Sequence, residues 1–344
     1  MTVAAVEAAL DRAATRAGAV LGVDGPDVLR ERRRLLDIAP AGPVSAGGSC
    51  RLLPAGDGRW VALNLARRDD IELLAAWMGH DWDGPVWDAV AAALATWSAD
   101  AAVERAQLLG LPAAVAVATP PRSARRPHLG GPRQRAPRRI LDLSALWAGP
   151  LCARLLGNAL DLAVTKVEDP RRPDGARAGP PAFWVRLNAT KDQRFLDLAT
   201  VAGRDELADL VADADVVVTS ARARTFAPLG LDPHTYIAGG GVWVAITGYG
   251  LSGPWRDRVA FGDDAAVAGG AAVAAGGLDA PVFVLDAVAD PLAGLHGAAT
   301  ALAALRTDRG ALVDVAMRDV VADALHGSVV GEFERHRSAV PSAR

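Results

Sequence analysis

The sequence predicts an α/β fold: a parallel sheet with helices on both faces, joined to a small α+β unit. Three observations carry that reading. From Arg139 onward, short apolar runs alternate with helical stretches, the pattern of strand–helix units in one parallel sheet. Nearer the start, Arg51–Leu53 and Trp60–Leu65 flank Gly56-Asp57-Gly58, a hairpin signal. The chain has 344 residues, 51% hydrophobic and 22% charged, enough for two domains and a large core.

The elements follow in order. Val3 to Val20 carries apolar residues at helical spacing, and Arg30–Ile38 reads as a basic helix or helix end. A glycine-rich loop, residues 42–49, precedes the hairpin. Helices are expected near Asp69–Met78, Trp87–Trp97 and Ala101–Leu109, the last after a Ser98-Ala99-Asp100 cap region. Residues 119–138 hold five prolines and a cluster of arginines; they read as a solvated linker, with a phosphate-binding arm as the alternative. Beyond them, strands are expected at Ile140–Leu143, Leu162–Val167, Phe195–Leu198, Val216–Val218, Val242–Ile246, Val282–Leu285 and Leu312–Val315. Helices are expected at Pro150–Leu160, Arg204–Ala212, Asp263–Ala274, Asp290–Arg306 and from Arg318 to Leu325. The domain reading is 1–118 small α+β, 119–138 linker, 139–330 the α/β domain and 331–344 a tail.

Composition excludes several classes. A formal net charge of −3 argues against a nucleic-acid binder. Two cysteines, Cys50 and Cys152, cannot make a disulfide framework or a cysteine zinc site, and they suit a reducing compartment. Residues 1–20 lack an uninterrupted apolar core, unlike a signal peptide, and no long uncharged apolar stretch suits a membrane span. A cytoplasmic protein is the expectation.

Four places could carry chemistry. Leu146-Trp147-Ala148-Gly149-Pro150 follows the first strand of the α/β unit, where an open sheet and a helix N-terminus hold anions, although a structural turn reads the same way. It is neither a dinucleotide fingerprint nor a Walker loop. Lys166-Val167-Glu168, then Asp169-Pro170-Arg171-Arg172, closes the second strand. Gly248 to Pro254 is a glycine-rich turn after a strand, and Asp263-Asp264 opens the next helix. Asp290 is expected as the N-cap of the long helix, with Pro291 in its first position; it is either a simple cap or a rigid, ionised carboxylate nucleophile.

Taken in order, these segments resemble the family III CoA-transferases, which include formyl-CoA and carnitine CoA-transferases and α-methylacyl-CoA racemases. The resemblance spans about Arg139 to Leu325. It rests on the segments at residues 140–157 (ILDLSALWAGPLCARLLG), 165–177 (TKVEDPRRPDGAR), 188–198 (NATKDQRFLDL), 214–223 (ADVVVTSARA), 246–254 (ITGYGLSGP), 288–305 (VADPLAGLHGAATALAAL) and 309–319 (RGALVDVAMRD). The N-terminal part, residues 45–65 and the helices after it, resembles the family's small domain placed first, so the order looks permuted.

The resemblance implies a Rossmann-like domain and acyl-CoA:carboxylate CoA transfer. Asp290, four residues before Gly294 in Gly-x-His296, matches the nucleophile that forms an aspartyl-CoA thioester. Gly47 and Gly48 match the loop that closes over it. CoA, entering as acyl-CoA with no metal, is expected at Leu146, Trp147 and Ala148, with Lys166, Arg171, Ser220, Arg222 and Arg224 around its phosphates. Thr219-Ser220 stands where the family often has Glu-Asn, and Asp169 and Pro228 replace frequent arginines. The implied partners are acyl-CoA, a carboxylic acid acceptor and a second copy of the chain in an interlocked homodimer. A racemase using Asp263 or Asp264 with His234, and an inactive CoA-binding partner, are the alternatives.

Overall fold

In a computed structural model, residues 1–120 and 126–327 are described. Two helices come first, α1 (Val3–Leu21) and α2 (Gly25–Leu36), each started by a side-chain cap from Thr2 and Asp24. Strands β1 (Cys50–Pro54) and β2 (Trp60–Asn64) form the expected antiparallel hairpin. Helices α3 (Arg68–Glu72), α4 (Leu74–Met78), α5 (Val86–Leu94) and α6 (Ala99–Leu109) cover it, and β3 (Ala113–Val115) returns beside β2. Trp77, Leu63, Leu74, Leu94 and Leu111 fill the core of this unit.

The large sheet begins with β4 (His128–Pro132), β5 (Arg139–Leu143), α7 (Ala148–Leu160), β6 (Ala163–Glu168), α8 (Pro181–Asn188) and β7 (Asp192–Phe195). It continues through α9 (Val201–Asp213), β8 (Val216–Thr219), α10 (Pro233–Ala238) and β9 (Val242–Thr247). Last come α11 (Gly262–Ala268), α12 (Ala271–Gly276), α13 (Ala289–Leu305), β10 (Arg309–Ala316) and α14 (Met317–Leu325). The strand order is β4-β10-β9-β8-β5-β6-β7, parallel except for β4. The chain winds one way from β5 through β6 to β7 and the other way through β8, β9 and β10. It therefore reverses between β5 and β8, and their carboxyl ends open a crevice of the kind in which such sheets bind ligands. Alternate residues of the strands feed two cores. Ile140, Val218 and Val244 face α7, α13 and α14, whereas Leu141, Val217 and Trp243 face α9 and α10. No described helix is long and apolar enough to cross a membrane.

Several expectations are corrected. Helices α1 and α2 do not belong with the small unit at 1–118: Val6, Leu10, Ala13 and Leu29 share the large core with α13. The linker at 119–138 is not purely solvated, because its residues His128–Pro132 form edge strand β4 on β10. Among its described residues, Arg133 donates to the carbonyls of Leu305 and Arg309, and Arg135 to Asp215, so these two arginines are not a free phosphate arm. The strand expected at 195–198 lies at Asp192–Phe195; it is an exposed edge strand with no apolar run to reveal it. The helix expected at 263–274 breaks at Gly269-Gly270. A side chain on Gly269 would meet Arg318 O at 2.8 Å, and Gly270 turns at φ +92°. Residues 282–285 form no strand; they are apolar because they lie buried in a loop, with Phe283 N donating to Gly42 O. Helices α8 and α10 were not expected. The tail expected at 331–344, and residues 328–330, lie outside the described residues.

Candidate functional site

The loop between β5 and α7 leaves the sheet at the reversal point. Ser220, just beyond β8, accepts Ala145 N at 2.9 Å and so ties the two carboxyl ends together. Leu146 adopts a left-handed φ of 69°, with its N–H held by Asp174 Oδ1 at 2.9 Å. Trp147 and Ala148 are buried as α7 begins, and Trp147 packs edge to face on Phe183, 5.1 Å between centroids. Two buried lysines fix this loop from below. Lys191 donates to Asp142 and to Pro150 O, both at 2.8 Å. Lys166 donates to Ser144 O at 2.7 Å and stands 3.1 Å from Asp174. Lys166 is fully buried, so its ammonium orients the loop and does not present itself to a ligand. Arg171, by contrast, is exposed and paired with Asp169 and Asp197.

Arg222 is partly buried, and its pKa is lowered by burial first and then by the charge of Arg224, with Arg67 and Arg172 adding to it. Asp257 is the one opposing charge on Arg222, whose Nη1 donates to Asp257 O at 3.3 Å. Four guanidinium groups gathered this way, one of them from the small unit, make an anion-attracting patch. The sequence reading named Arg222 and Arg224; Arg67 was missed because it lies 155 positions away from Arg222 in the chain.

The carboxylates converge where α11 and α13 begin. Asp290 is the second residue of α13 rather than its cap, since Val288 holds the cap position. The Asp290 side chain is partly buried, and it accepts a hydrogen bond from Gly262 N. A Cβ on Gly262 would lie 2.4 Å from Asp290 Oδ2 and 2.2 Å from Ala287 O, so the approach requires glycine. Asp263 accepts Ala287 N at 3.1 Å and a bond from Ser45 of the glycine-rich loop. Asp264 accepts from Asn64 Nδ2 at 3.2 Å and Phe261 N at 3.0 Å. Asp286 stands between two non-glycine residues of positive φ, Leu285 at 60° and Ala287 at 40°. Each such backbone conformation costs about 1–3 kcal/mol and is typical of functional sites.

Burial dominates the electrostatics here. It pushes Asp264 up to about 8, and, with the charge of Asp286, Asp263 up to about 7. Burial and the charge of Asp263 bring Asp290 to about 7. Asp290 therefore holds its proton more tightly than an ordinary aspartate, because burial and the charge of Asp263 outweigh Arg32 and the bond from Gly262 N. Arg32 of α2 opposes this trend at Asp263, Asp286 and Asp290. Gly47 lies against the same arginine, since a Cβ there would meet Arg32 Nη2 at 3.7 Å, and Gly48 turns at φ +74°.

His234 does not join the site. It lies on α10, which leads into the start of β9, and its ring meets that of His128 on the edge strand at 5.9 Å. Asp263 and Asp264 follow the far end of β9. No acid–base pair across one carbon can form from these groups. Among the described residues, no group of three His, Cys, Asp or Glu side chains is placed to hold a metal ion.

The chain belongs to the CoA-transferase family III, whose profile matches residues 136–341. It is 31% identical over 220 residues to a succinyl-CoA–D-citramalate CoA-transferase from Chloroflexus aurantiacus, covering 58% of this chain and 54% of that protein. It is 30% identical to a succinyl-CoA:glutarate CoA-transferase from Mus musculus, covering 51% of this chain and 43% of the other. The chain spans about half the length of the curated relatives it matches. A solved structure of a hypothetical protein from Mycobacterium tuberculosis is similar with TM-score 0.50 and 26% identity, covering 62% of each chain.

Proposed function

We propose that this chain moves coenzyme A from an acyl-CoA donor to a carboxylic acid acceptor through an aspartyl-CoA thioester on Asp290. The observation that carries the reading is the Asp290 carboxylate itself. It is fixed by Gly262 N at the head of α13, next to Asp263, which bonds Ser45 of the glycine-rich loop, and its pKa is raised to about 7. An Asp290 oxygen attacks the thioester carbonyl, the C–S bond breaks, and CoA leaves as thiolate from a mixed anhydride. The thiolate attacks the Asp290 carbonyl, releasing the donor acid and forming the aspartyl thioester. The acceptor carboxylate then repeats the exchange: it attacks the thioester, and returning thiolate takes the acceptor's acyl group. The backbone N–H of Gly47 is the proposed host for the oxyanions, and Gly48, whose own N–H is held by Ser45 O at 2.9 Å, shapes the turn that presents it.

CoA is assigned to the Rossmann-like crevice, its adenine end against Leu146, Trp147 and Ala148. Its phosphates fall to Arg222 and Arg224, with Arg67 and Arg172 beside them. Ser220 and Lys166 hold the loop that the cofactor lies on. Arg171 borders this patch. The permuted domain order and an interlocked homodimer remain parts of the proposal, carried by the resemblance.

The test is Asp290→Asn. Transfer from succinyl-CoA to a panel of carboxylic acids is expected to fall at least ~1000-fold. Hydroxylamine quenching of wild type with acyl-CoA is expected to leave a hydroxamate on the peptide carrying Asp290. Retained turnover in the variant refutes the nucleophile.

A further inference from the structure

Arg32 stands at the meeting point of three segments that the sequence reading treated separately. Its Nη1 donates to Asp286 Oδ1 at 2.6 Å, and Asp286 is almost wholly buried with its second oxygen unpartnered. Its guanidinium lies 5.3 Å from the Trp147 ring centroid and 5.4 Å from that of Phe183, within cation–π range of both. Its Nη2 faces Gly47. The side chain keeps about a fifth of its surface open, so it borders the crevice instead of being sealed beneath it.

One planar group therefore touches the loop beneath the proposed CoA site, the loop that covers the nucleophile, and the strained segment that leads into α13. A planar cation with a flat face does this; a lysine would keep the charge but lose the stacked geometry. The charged groups facing Asp290 are Asp263 of α11, Asp286 before α13, and Arg32; Arg33 acts on Asp286. Two of the three that act on Asp290 directly are negative, so Arg32 is the charge that keeps the nucleophile usable.

We propose that Arg32 is a positioning residue of the transfer site, locking Asp286, the Trp147 loop and the Gly47 loop around Asp290 and supplying the positive charge opposite the carboxylates. This rests on the transfer reading above, and the test separates the two. Full-length wild type, Arg32→Met, Arg32→Lys and Asp286→Asn would each be checked for folding by thermal melt. Their kcat/KM would then be measured from pH 5 to 9 with succinyl-CoA and the best acceptor. Removing the cation should lower kcat about 100-fold and move the acid limb of the profile to higher pH. Arg32→Lys should restore the limb but not the full kcat. Asp286→Asn should move the limb the opposite way. In parallel, the Asp290 carboxyl would be titrated by carbon NMR in wild type and Arg32→Met. A limb and an Asp290 titration both unchanged in a folded Arg32→Met overturn the proposal. If wild type transfers no CoA, the transfer reading falls, and the carboxyl titration alone decides whether Arg32 governs Asp290.

Discussion

Asp264→Asn tests whether a buried acid is held neutral at the junction of the two units. Asp264 is fully buried, its Oδ1 accepts from Asn64 and Phe261, and its Oδ2 has no partner. Asn64 Oδ1, on the other side of that contact, is buried without a donor as well. Burial without a donor to its second oxygen favours the neutral form of Asp264. The sign follows from linkage: the folded pKa of about 8 exceeds the unfolded value of about 4. The native chain thus holds a proton that the unfolded chain has released. That contribution to stability is fully present below about pH 4 and is lost as pH rises through about 8. One proton is worth about 1.4 kcal/mol per pH unit, so between pH 6 and 8 wild type loses roughly 2–3 kcal/mol through this group, or about 3–4 °C in melting temperature. Asn is nearly the same shape, stays neutral and keeps both hydrogen bonds. The melting-temperature difference between pH 6 and 8 should shrink by that amount, and the variant should be the more stable form at pH 8. Asp263 and Asp290 add dependence of the same sign, but they remain in both proteins. His296, pushed down to about 4 by burial, acts with the opposite sign and only below about pH 6.5. Differential scanning calorimetry at both pH values decides the matter. An unchanged pH dependence, or a variant less stable than wild type at pH 8, refutes a neutral Asp264.

Two further outcomes follow from close contacts. Gly262→Ala places a methyl 2.4 Å from Asp290 Oδ2 and against Ala287 O, so it should cost about 1–3 kcal/mol and lower CoA transfer about 100-fold; normal turnover would show that Gly262 does not set the position of Asp290. Lys191→Met strips the fully buried Asp142 of its nearest cation and should destabilise the fold by about 3–5 kcal/mol, read in a denaturant melt, whereas a loss under 1 kcal/mol would mean that Lys166 alone neutralises Asp142.

Much of the large sheet was legible because its central strands are buried on both faces. Val216–Thr219 and Val242–Thr247 are continuous apolar runs, and the helices between them carry their own spacing. Edge strands escaped for the opposite reason. Residues 192–195 are exposed throughout, and the Gly-Gly of β4 hides its pairing with β10. At the site, Asp290 was findable from local spacing. Arg32, Asn64 and Ser45 were not, since each meets its carboxylate across 200 or more residues. The only available signals were an arginine run in α2 and polar residues beside an apolar hairpin, both of which suit a solvated surface equally well. The helix-cap reading of Asp290 failed because α13 begins at Ala289, with Val288 in the cap position, so that Asp290 and Pro291 both lie inside the first turn.

On the proposed mechanism, the crowding of carboxylates works for the reaction rather than against it. A nucleophilic carboxylate must be both basic and ionised, and an ordinary aspartate near 4 is fully ionised but weakly basic. Burial and the neighbouring Asp263 raise Asp290 to about 7, so its ionised form carries a more basic and more reactive oxygen than an ordinary aspartate. Acylation then removes that charge. The repulsion from Asp263 and Asp286 is relieved at the step that makes the mixed anhydride, and it stays relieved in the thioester. Arg32 acts in the other direction: its charge lowers the Asp290 pKa and so favours the ionised nucleophile. A site built this way needs α2 and the α/β unit together, because the cation that tunes Asp290 comes from α2 and the acids that crowd it come from α11 and the segment before α13.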